Sequence, residues 1–500
     1  MTVYRTLTLT SAIALITAGP ALADLTAEQV LADQLSQMEF YGLSVEPTGQ
    51  SRSGDVLTVD GLTATATFPE GNMLMTLGGA TFTERSDGTV VVTYPDTIPM
   101  NLKMDVEGED EQVEISMNLA QSGMEIVVSG IPEDIRYEYT ADSFSMNDLT
   151  FLSPEEATEM DMTTDISVTG LSGFLELSGT TVRDYASDFT FETVTALIDG
   201  AVPEEEGSFS LALNAVDLTA NYVGKIARQE LMASFAQAVQ NGTETKGTFT
   251  HGALRYGLKF DGPDGAFEGD FNVGSGELDF SLDQSGLDYG GTNSDMSVTF
   301  GGSMIPFPPM TLTMAESGGR FAMPVVPSED EVQDFAMSFS MVDLVLDPFL
   351  WSMIDPGEAL PRDPATIVLD MEGQGVLTQD IFDPAVAEQM MGAPGQIEGV
   401  SLNELRVSLA GAELTGDGEF TFNNEGPVPM PAGVVNMMLT GGNGLLDTLV
   451  GMGLVPEEQA MGARMMMGLF ARPGDGEDTL VSTIEVQEDG AVLANGQRIR

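Results

Sequence analysis

Residues 347–370 read DPFLWSMIDPGEALPRDPATIVLD and contain the only tryptophan of the chain and three Asp-Pro steps. The segment opens with a helix signal, because Asp347 can accept free backbone N–H groups and Pro348 fits the first helical position, where no N–H is needed. Asp355-Pro356-Gly357 then ends the helix. Residues 365–371 are apolar enough to form a buried strand. We therefore predict a rigid joint between two long runs of β-structure, and not an active site.

Strand-like patterns fill the chain on both sides of this joint. Residues 112–119 alternate apolar and polar side chains, and in residues 277–283 Leu278, Phe280 and Leu282 alternate with three carboxylates and a serine. One-sided strands separated by short turns are typical of antiparallel sheets. We predict a mainly β fold (β-rich α+β), with extended, curved antiparallel sheets in two lobes and a few short packing helices.

The chain divides into a leader and two predicted lobes. Residues 1–23 combine a weakly positive start, a short apolar run and Ala21-Leu22-Ala23, which is typical of a signal peptide cleaved after Ala23. We expect an N-terminal β-rich lobe over 24–242 and a C-terminal β-rich lobe over 243–500. Apolar spacing and capping signals predict helices near 26–41, 223–240, 347–354, 384–391 and 445–471.

The charge of the chain is strongly negative. Lys and Arg number 18 against 78 Asp and Glu, which gives a net charge of −60. Nucleic acid is excluded as a partner, because phosphate would be repelled, and anionic membrane surfaces are disfavoured for the same reason. Weak binding of calcium stays open, beside the simpler interpretation of a solvated surface in a saline compartment.

Several other classes are excluded by what the sequence lacks. There is no cysteine, which removes disulfides and thiolate chemistry. No apolar run after the signal reaches the roughly 18–20 residues of a membrane-spanning helix, so we expect no transmembrane segment in the mature chain. We therefore expect an exported protein of the periplasm.

No set of residues points to catalysis or to a bound cofactor. His251 is the only histidine, no Gly-x-Ser-x-Gly motif is present, and no second imidazole is available for a catalytic zinc. Pairs of carboxylates could serve glycoside hydrolysis, but 78 acids guarantee some proximity and carry no information. We expect no enzyme, and we assign no catalytic, cofactor-binding or metal-binding residue and no cofactor.

Methionine is unusually frequent, at 31 residues. Met461, Met465 and Leu469 share one face of a predicted helix. Thioethers are ligands for Cu(I), but the spacing among Leu and Val is that of adaptable core packing. Walls rich in methionine can also accommodate varied lipophilic ligands.

Five short stretches together resemble an uncharacterised exported family of Gram-negative bacteria, the domain-of-unknown-function family twenty-one twenty-five. They are 54–59 (GDVLTV), 86–90 (SDGTV), 347–351 (DPFLW), 360–364 (LPRDP) and 495–497 (NGQ). The resemblance implies a periplasmic protein, no established catalytic residues, and a distant likeness in fold to envelope proteins whose long β-sheet grooves handle lipids.

Four functions remain in view. The first is a noncatalytic periplasmic protein that binds a lipophilic ligand, such as a lipid, or an envelope protein partner in a β-sheet groove. The second is a structural or partner-binding envelope protein without a ligand. An outer-membrane barrel and a carboxylate-based hydrolase are less favoured, because helices interrupt the strands and no reactive set is present.

Overall fold

The chain folds as one large antiparallel sheet with short helices packed on it. The computed structural model describes residues 25–40, 43–68, 71–105, 112–152, 161–180, 182–202, 207–227, 235–383, 386, 393–426 and 428–500. Strands dominate these residues, which confirms the mainly β fold class. The predicted signal peptide, 1–23, lies outside the described residues.

The helices are short and lie between long runs of strands. In the described residues they are α1 Ala27–Phe40, α2 Phe235–Gln240, α3 Pro348–Ile354, α4 Gly442–Gly451 and α5 Glu457–Phe470. These positions match the helices predicted near 26–41, 347–354 and 445–471. The helix predicted near 384–391 falls outside the described residues, except for residue 386.

The helix predicted near 223–240 is wrong in its first part. Residues 223–227 continue a strand, Gly207–Ala227, and only Phe235–Gln240 is helical, while 228–234 lie outside the described residues. Val223 and Ile226 are spaced for a helix, but both are paired in the ladder of this strand, where β-branched side chains fit well. Pairing with neighbouring strands therefore overrides the local helical spacing.

Several strands are far longer than the usual 3–10 residues. In chain order they are β1 Ser44–Ser53, β2 Val56–Phe68, β3 Gly71–Glu84, β4 Val90–Thr93, β5 Thr97–Asp105, β6 Gln112–Ser122, β7 Glu125–Ile131, β8 Asp134–Leu152, β9 Asp161–Ser178, β10 Val182–Val202, β11 Gly207–Ala227, β12 Glu244–His251, β13 Leu254–Gly262, β14 Gly265–Val273, β15 Ser275–Asp283, β16 Gly286–Gly301, β17 Met310–Met323, β18 Gln333–Leu344, β19 Ala365–Leu377, β20 Gly395–Leu409, β21 Ala412–Asn423, β22 Met430–Thr440, β23 Arg472–Pro473, β24 Thr479–Val486, β25 Val492–Ala494 and β26 Gln497–Arg498. Strands β10 and β11 have 21 residues each.

All of these strands belong to a single sheet, which is simpler than the separate sheets expected from the sequence. Strands β8 to β11 and β16 to β22 follow one another as antiparallel neighbours, and β22 pairs with β24. Pairing also crosses the boundary predicted between 242 and 243, because β11 pairs with β12 and β13. The division into two lobes stays a prediction.

Two parts of the sheet share the same topology. In the first, the C-terminal half of β3 pairs with β4 and its N-terminal half with β5; β4 then pairs with β7, β5 with β6, and both β7 and β6 with β8. In the second, β11, β12, β13, β14, β15 and β16 take the same places in the same order. The fold therefore contains a structural repeat of six strands.

Long strands change phase near the middle of their length. Asp217 of β11 and Asp295 of β16 lie well inside their strands with φ angles of 53° each, and Asp343, near the end of β18, has a φ of 56°. A left-handed residue reverses the alternation of side chains, so apolar residues can shift by one position in sequence and stay on the same face. Across the break at Asp295, Ser317 Oγ donates to Met296 Sδ at 3.0 Å, which places both side chains on one face.

The segment 347–370 has the helix, the turn and the strand that the sequence predicts, but the strand is not buried, because only Thr366 is buried in 365–371 and Ile367 is exposed. Asp347 Oδ1 accepts from the backbone N–H of Phe349 at 2.7 Å, with Pro348 at the start of α3. Asp355, fully buried, follows the helix, and its two carboxylate oxygens accept from the N–H groups of Ala359 and Leu360 at 3.0 and 2.7 Å. Strand β19 then starts at residue 365. Two of the three Asp-Pro steps therefore order the segment through side-chain acceptors, with Asp347 at the start of α3 and Asp355 in the turn after it.

Candidate functional site: an apolar row across the sheet

One row of side chains crosses sixteen strands on the same face of the sheet. Paired residues in an antiparallel ladder lie side by side on one face, so the row can be followed from strand to strand. From β4 to β24 its members are Val90, Val128, Tyr137, Leu175, Ser187, Tyr222, Gly247, Phe280, Tyr289, Phe321, Met337, Met371, Leu402, Gly418, Val435 and Ile484. We call this set the apolar row. At about 4.8 Å per strand it extends over roughly 70 Å.

The N-terminal part of the apolar row is covered by α1. Val30 and Leu31 of this helix pack in one cluster with Val90, Val128 and Tyr137, and all five are at most 5% exposed. The cluster is closed on both sides, because sheet and helix each contribute apolar side chains. This part of the row therefore forms an ordinary core.

The central part of the apolar row is uncovered. Tyr289 and Phe321 are each 47% exposed, Met337 is 44% exposed, and Phe339, on the next row, is 46% exposed. These four side chains line a cavity of about 720 Å³ together with Phe249, His251, Leu254, Glu277, Leu278, Gly291, Asn293, Gly319, Arg320 and Ser338. Contiguous apolar patches of this kind mark ligand or partner sites in water-soluble proteins.

The opposite face of the same strands is polar. Arg320 lies beside Phe321 in sequence and points to the other side, where its guanidinium donates to both carboxylate oxygens of Asp288 at 2.7 to 3.3 Å. This bond lowers the pKa of Asp288 and raises that of Arg320. The sheet is therefore two-sided in this region, with charges on one face and aromatic and methionine side chains on the other.

A second cavity, of about 520 Å³, lies between the edge of α1 and β9–β11 on the apolar side. Its walls are mostly apolar, with Leu177, Tyr185, Phe189 and Tyr222 among them. Leu175, Ser187 and Tyr222 line this cavity and belong to the apolar row. The next two members of the row, Gly247 and Phe280, lie between the cavity and the uncovered part, and Phe280 packs against a cluster that includes Ala236 and Val239 of α2.

An ion pair lies inside this second cavity. Arg183 Nη2 donates to Asp33 Oδ1 of α1 at 3.0 Å, and the two side chains are 20% and 10% exposed. The other oxygen of Asp33 accepts from Tyr137 Oη at 2.6 Å and from Gln37 Nε2 at 2.7 Å. Burial beside the Asp33 carboxylate raises the pKa of Tyr137, so the phenol stays protonated as a donor.

The C-terminal end of the face is covered again. Met466, Met467 and Phe470 of α5 line a cavity of about 270 Å³ with Met437 and Leu480 of the sheet. Trp351 and Leu360 pack with Ala410 and with apolar side chains of α4. Helices therefore cover both ends of the face, and α2 packs beside Phe280, while Tyr289, Phe321 and Met337 stay exposed.

Residues singled out by the sequence lie mostly apart from one another. His251 lines the uncovered cavity, and its Nδ1 lies 2.7 Å from the carbonyl oxygen of Gly252. In the part of the chain that the structure describes, no three His, Asp or Glu side chains come together as a metal site. Met461 and Met465 are 72% and 71% exposed, so the core packing expected of them is wrong. Only the neighbours Met466 and Met467 face the sheet.

The sequence did not reveal Arg183 or the apolar row. Arg183 and Asp33 are 150 residues apart, and the row joins strands from both halves of the chain. One signal could have been found, because Tyr289, Phe321 and Phe339 belong to strands whose apolar side chains have no helix nearby in sequence to cover them.

Part of the chain matches the model of a known family. The model of the family described as an uncharacterised protein conserved in bacteria (DUF2125) matches residues 282–499. This confirms the resemblance for that segment, which holds three of the five stretches; the other two, 54–59 and 86–90, lie outside it. No curated protein and no solved structure matches the chain. Among the described residues, no helix has both the length and the apolar character needed to cross a membrane.

Proposed function

We propose that this chain is a noncatalytic periplasmic protein that holds the hydrocarbon chain of a lipid on the uncovered part of the apolar row. The observation that carries the proposal is the exposure of Tyr289, Phe321, Met337 and Phe339, at 44–47%, around a cavity of about 720 Å³. Leaving such side chains in water forgoes about 25 cal/mol for each Å² that a ligand could cover.

A hydrocarbon chain suits this surface better than a polar ligand. The backbone N–H and C=O groups of β16–β19 are used in the ladders, so the floor of the cavity offers few hydrogen bonds to a ligand. Flexible methionines such as Met337 and Met371 can adapt to chains of different shape. The continuous row also favours a long ligand over a compact one.

The location is proposed from the signal-like pattern of residues 1–23. Mass spectrometry of the protein in an osmotic-shock fraction should find an N-terminus at Asp24. An intact Met1 in the cytosolic fraction would contradict export.

Binding can be measured with N-phenyl-1-naphthylamine, a neutral dye that fluoresces in apolar surroundings. The wild-type protein should bind the dye, and hexadecanol should displace it. Tyr289→Glu places a carboxylate in the apolar row and should weaken both ligands at least about tenfold, because an unpaired charge against hydrocarbon is costly.

A matched control is available in the same strand. Thr292 is exposed and lies on the opposite face, among the residues that surround Arg320, so Thr292→Glu adds the same charge without touching the row. It should bind like the wild type. Equal binding by all three proteins, or no binding by any, would contradict the proposal. A wild-type dimer that Tyr289→Glu dissociates would instead assign the row to a second copy of the chain.

A further inference from the structure

The position of Arg183 is exceptional on this face of the sheet. Side chains at alternate positions of β10 share a face, so Arg183 lies on the same side as Tyr185 and Phe189. Alternation along the strands places all the other Lys and Arg side chains of the described strand residues from β8 to β24 on the opposite face. Among the described residues of these strands, Arg183 is therefore the one cationic side chain on the face that carries the apolar row.

Arg183 is only partly paired where it stands. Nη2 donates to Asp33, whereas Nε is buried and donates to no atom of the described residues. A buried donor without an acceptor costs free energy, and a guanidinium can bind an oxyanion with two parallel N–H groups. Asp33 also accepts hydrogen bonds from Tyr137 and Gln37, so its carboxylate depends less on Arg183 for stabilisation than a carboxylate without other donors would.

We propose that the cavity between α1 and β9–β11 binds the anionic head of an amphiphile, a carboxylate or a phosphate, through Arg183. The hydrocarbon tail then leaves along Tyr185, Phe189 and Tyr222 towards the uncovered part of the apolar row. This assignment rests on the proposed function, because it supplies the head-group site for the same ligand. It also gives the bound ligand an orientation along the apolar row, with the head under α1 and the tail towards β16–β18.

The net charge of −60 makes a preference for anionic over neutral amphiphiles informative. A general electrostatic effect of this chain would disfavour anions, so a preference for an anionic amphiphile must come from a local cation. Measurements at about 0.15 M salt reduce the general repulsion, because the Debye length is then about 8 Å.

The test compares three C16 ligands that share one tail, each displacing N-phenyl-1-naphthylamine from the full-length protein at pH 8. The ligands are hexadecanoic acid, hexadecyl phosphate and hexadecanol. The wild-type protein should bind the acid or the phosphate at least about tenfold more tightly than the alcohol, as expected for a charge-assisted hydrogen bond. Whichever of the two anions is favoured identifies the head group as carboxylate or phosphate.

Two variants separate a binding role from a purely structural one. Arg183→Met should abolish the preference for the anion and retain hexadecanol binding. Asp33→Asn removes the competing carboxylate, and it should tighten the anionic ligands several-fold without tightening hexadecanol. If Arg183 only anchors α1 to the sheet, Asp33→Asn will give no such gain.

Controls keep the outcomes distinct. Arg136→Met removes an arginine on the opposite face, which pairs with Glu138 and Glu176, and should leave the preference unchanged. Thermal melts identify any variant that has lost its fold. Equal affinity of the wild type for the three ligands would overturn the head-group assignment and leave the proposed function in place. Failure of all three to displace the dye would overturn the proposed function itself.

Discussion

The N-terminal end and the centre of the apolar row both carry apolar side chains, but only the end is covered by a helix. Near β4 and β7, Val90 and Val128 are fully buried beneath α1, whereas Tyr289 and Phe321 on β16 and β17 are each 47% exposed. The two regions have the same kind of strand pairing, since both lie in regular antiparallel ladders. The difference is the helix above the sheet, so side chains at the covered end form a core, whereas those at the open centre remain exposed.

The largest expected difference between the two regions is in stability. Phe82→Ala removes a side chain that is 1% exposed in the covered cluster and should cost about 3–5 kcal/mol of unfolding free energy. Phe339→Ala removes one that is 46% exposed and should cost less than about 1 kcal/mol. Urea denaturation measures both. Similar losses would show that the centre of the face is packed as tightly as its end.

The affinity of the open region should depend on the length of the ligand. Each methylene transferred from water contributes about 0.8 kcal/mol. Lengthening an alcohol by two carbons should therefore tighten binding about tenfold, until the chain covers the whole uncovered part of the apolar row. Displacement of N-phenyl-1-naphthylamine by dodecanol, tetradecanol and hexadecanol gives the series. Constant affinity across it would mean that only one end of the ligand is recognised.

A smaller effect is expected where α1 meets the sheet. Tyr137→Phe deletes the hydroxyl that donates to Asp33 and should lower the unfolding free energy by about 2 kcal/mol, the usual contribution of a hydrogen bond to a charged group. The packing of the ring in the covered cluster is kept. Denaturation of this variant beside the wild type measures the change, and a loss as large as that of Phe82→Ala would assign the hydroxyl a role beyond this bond.

The smallest expected effect concerns pH at the covered C-terminal end. The N–H groups of Ala359 and Leu360 hold the pKa of Asp355 below its usual value. A lowered folded pKa stabilises the protein above the unfolded pKa of about 3.9, and this stabilisation is lost as pH falls through the folded value. Asp355→Asn should therefore melt at a lower temperature than wild type at pH 7, with the gap narrowing towards pH 3. A gap independent of pH would contradict this assignment.

Local features of the fold could be predicted from the sequence because short-range chemistry determines them. Asp347 and Pro348 specify the start of α3, and alternation around Leu278, Phe280 and Leu282 specifies a one-sided strand. Both signals lie within a few residues of the element they define. The helix expected at 223–227 failed because an apolar spacing alone does not show which strands lie beside it.

The site depends on information that the sequence does not carry locally. The apolar row exists only through the register of sixteen strands, and the left-handed residues Asp217 and Asp295 shift the apolar pattern by one position within a strand. The six-strand repeat is likewise a matter of pairing, without a visible repeat of residues. Arg183 pairs with Asp33, 150 residues away in sequence, so its position on the apolar face of the sheet becomes evident only in the folded chain.

Photolabelling tests the central claim most directly. A hexadecanol analogue with a diazirine on its tail is bound to the full-length protein, irradiated, and located by peptide mass spectrometry. We expect the label on peptides of β16–β18, at or beside Tyr289, Phe321, Met337 and Phe339, and its loss in Tyr289→Glu but not in Thr292→Glu. Labelling spread evenly over both faces of the sheet, or confined to the exposed methionines of α5, would contradict the account.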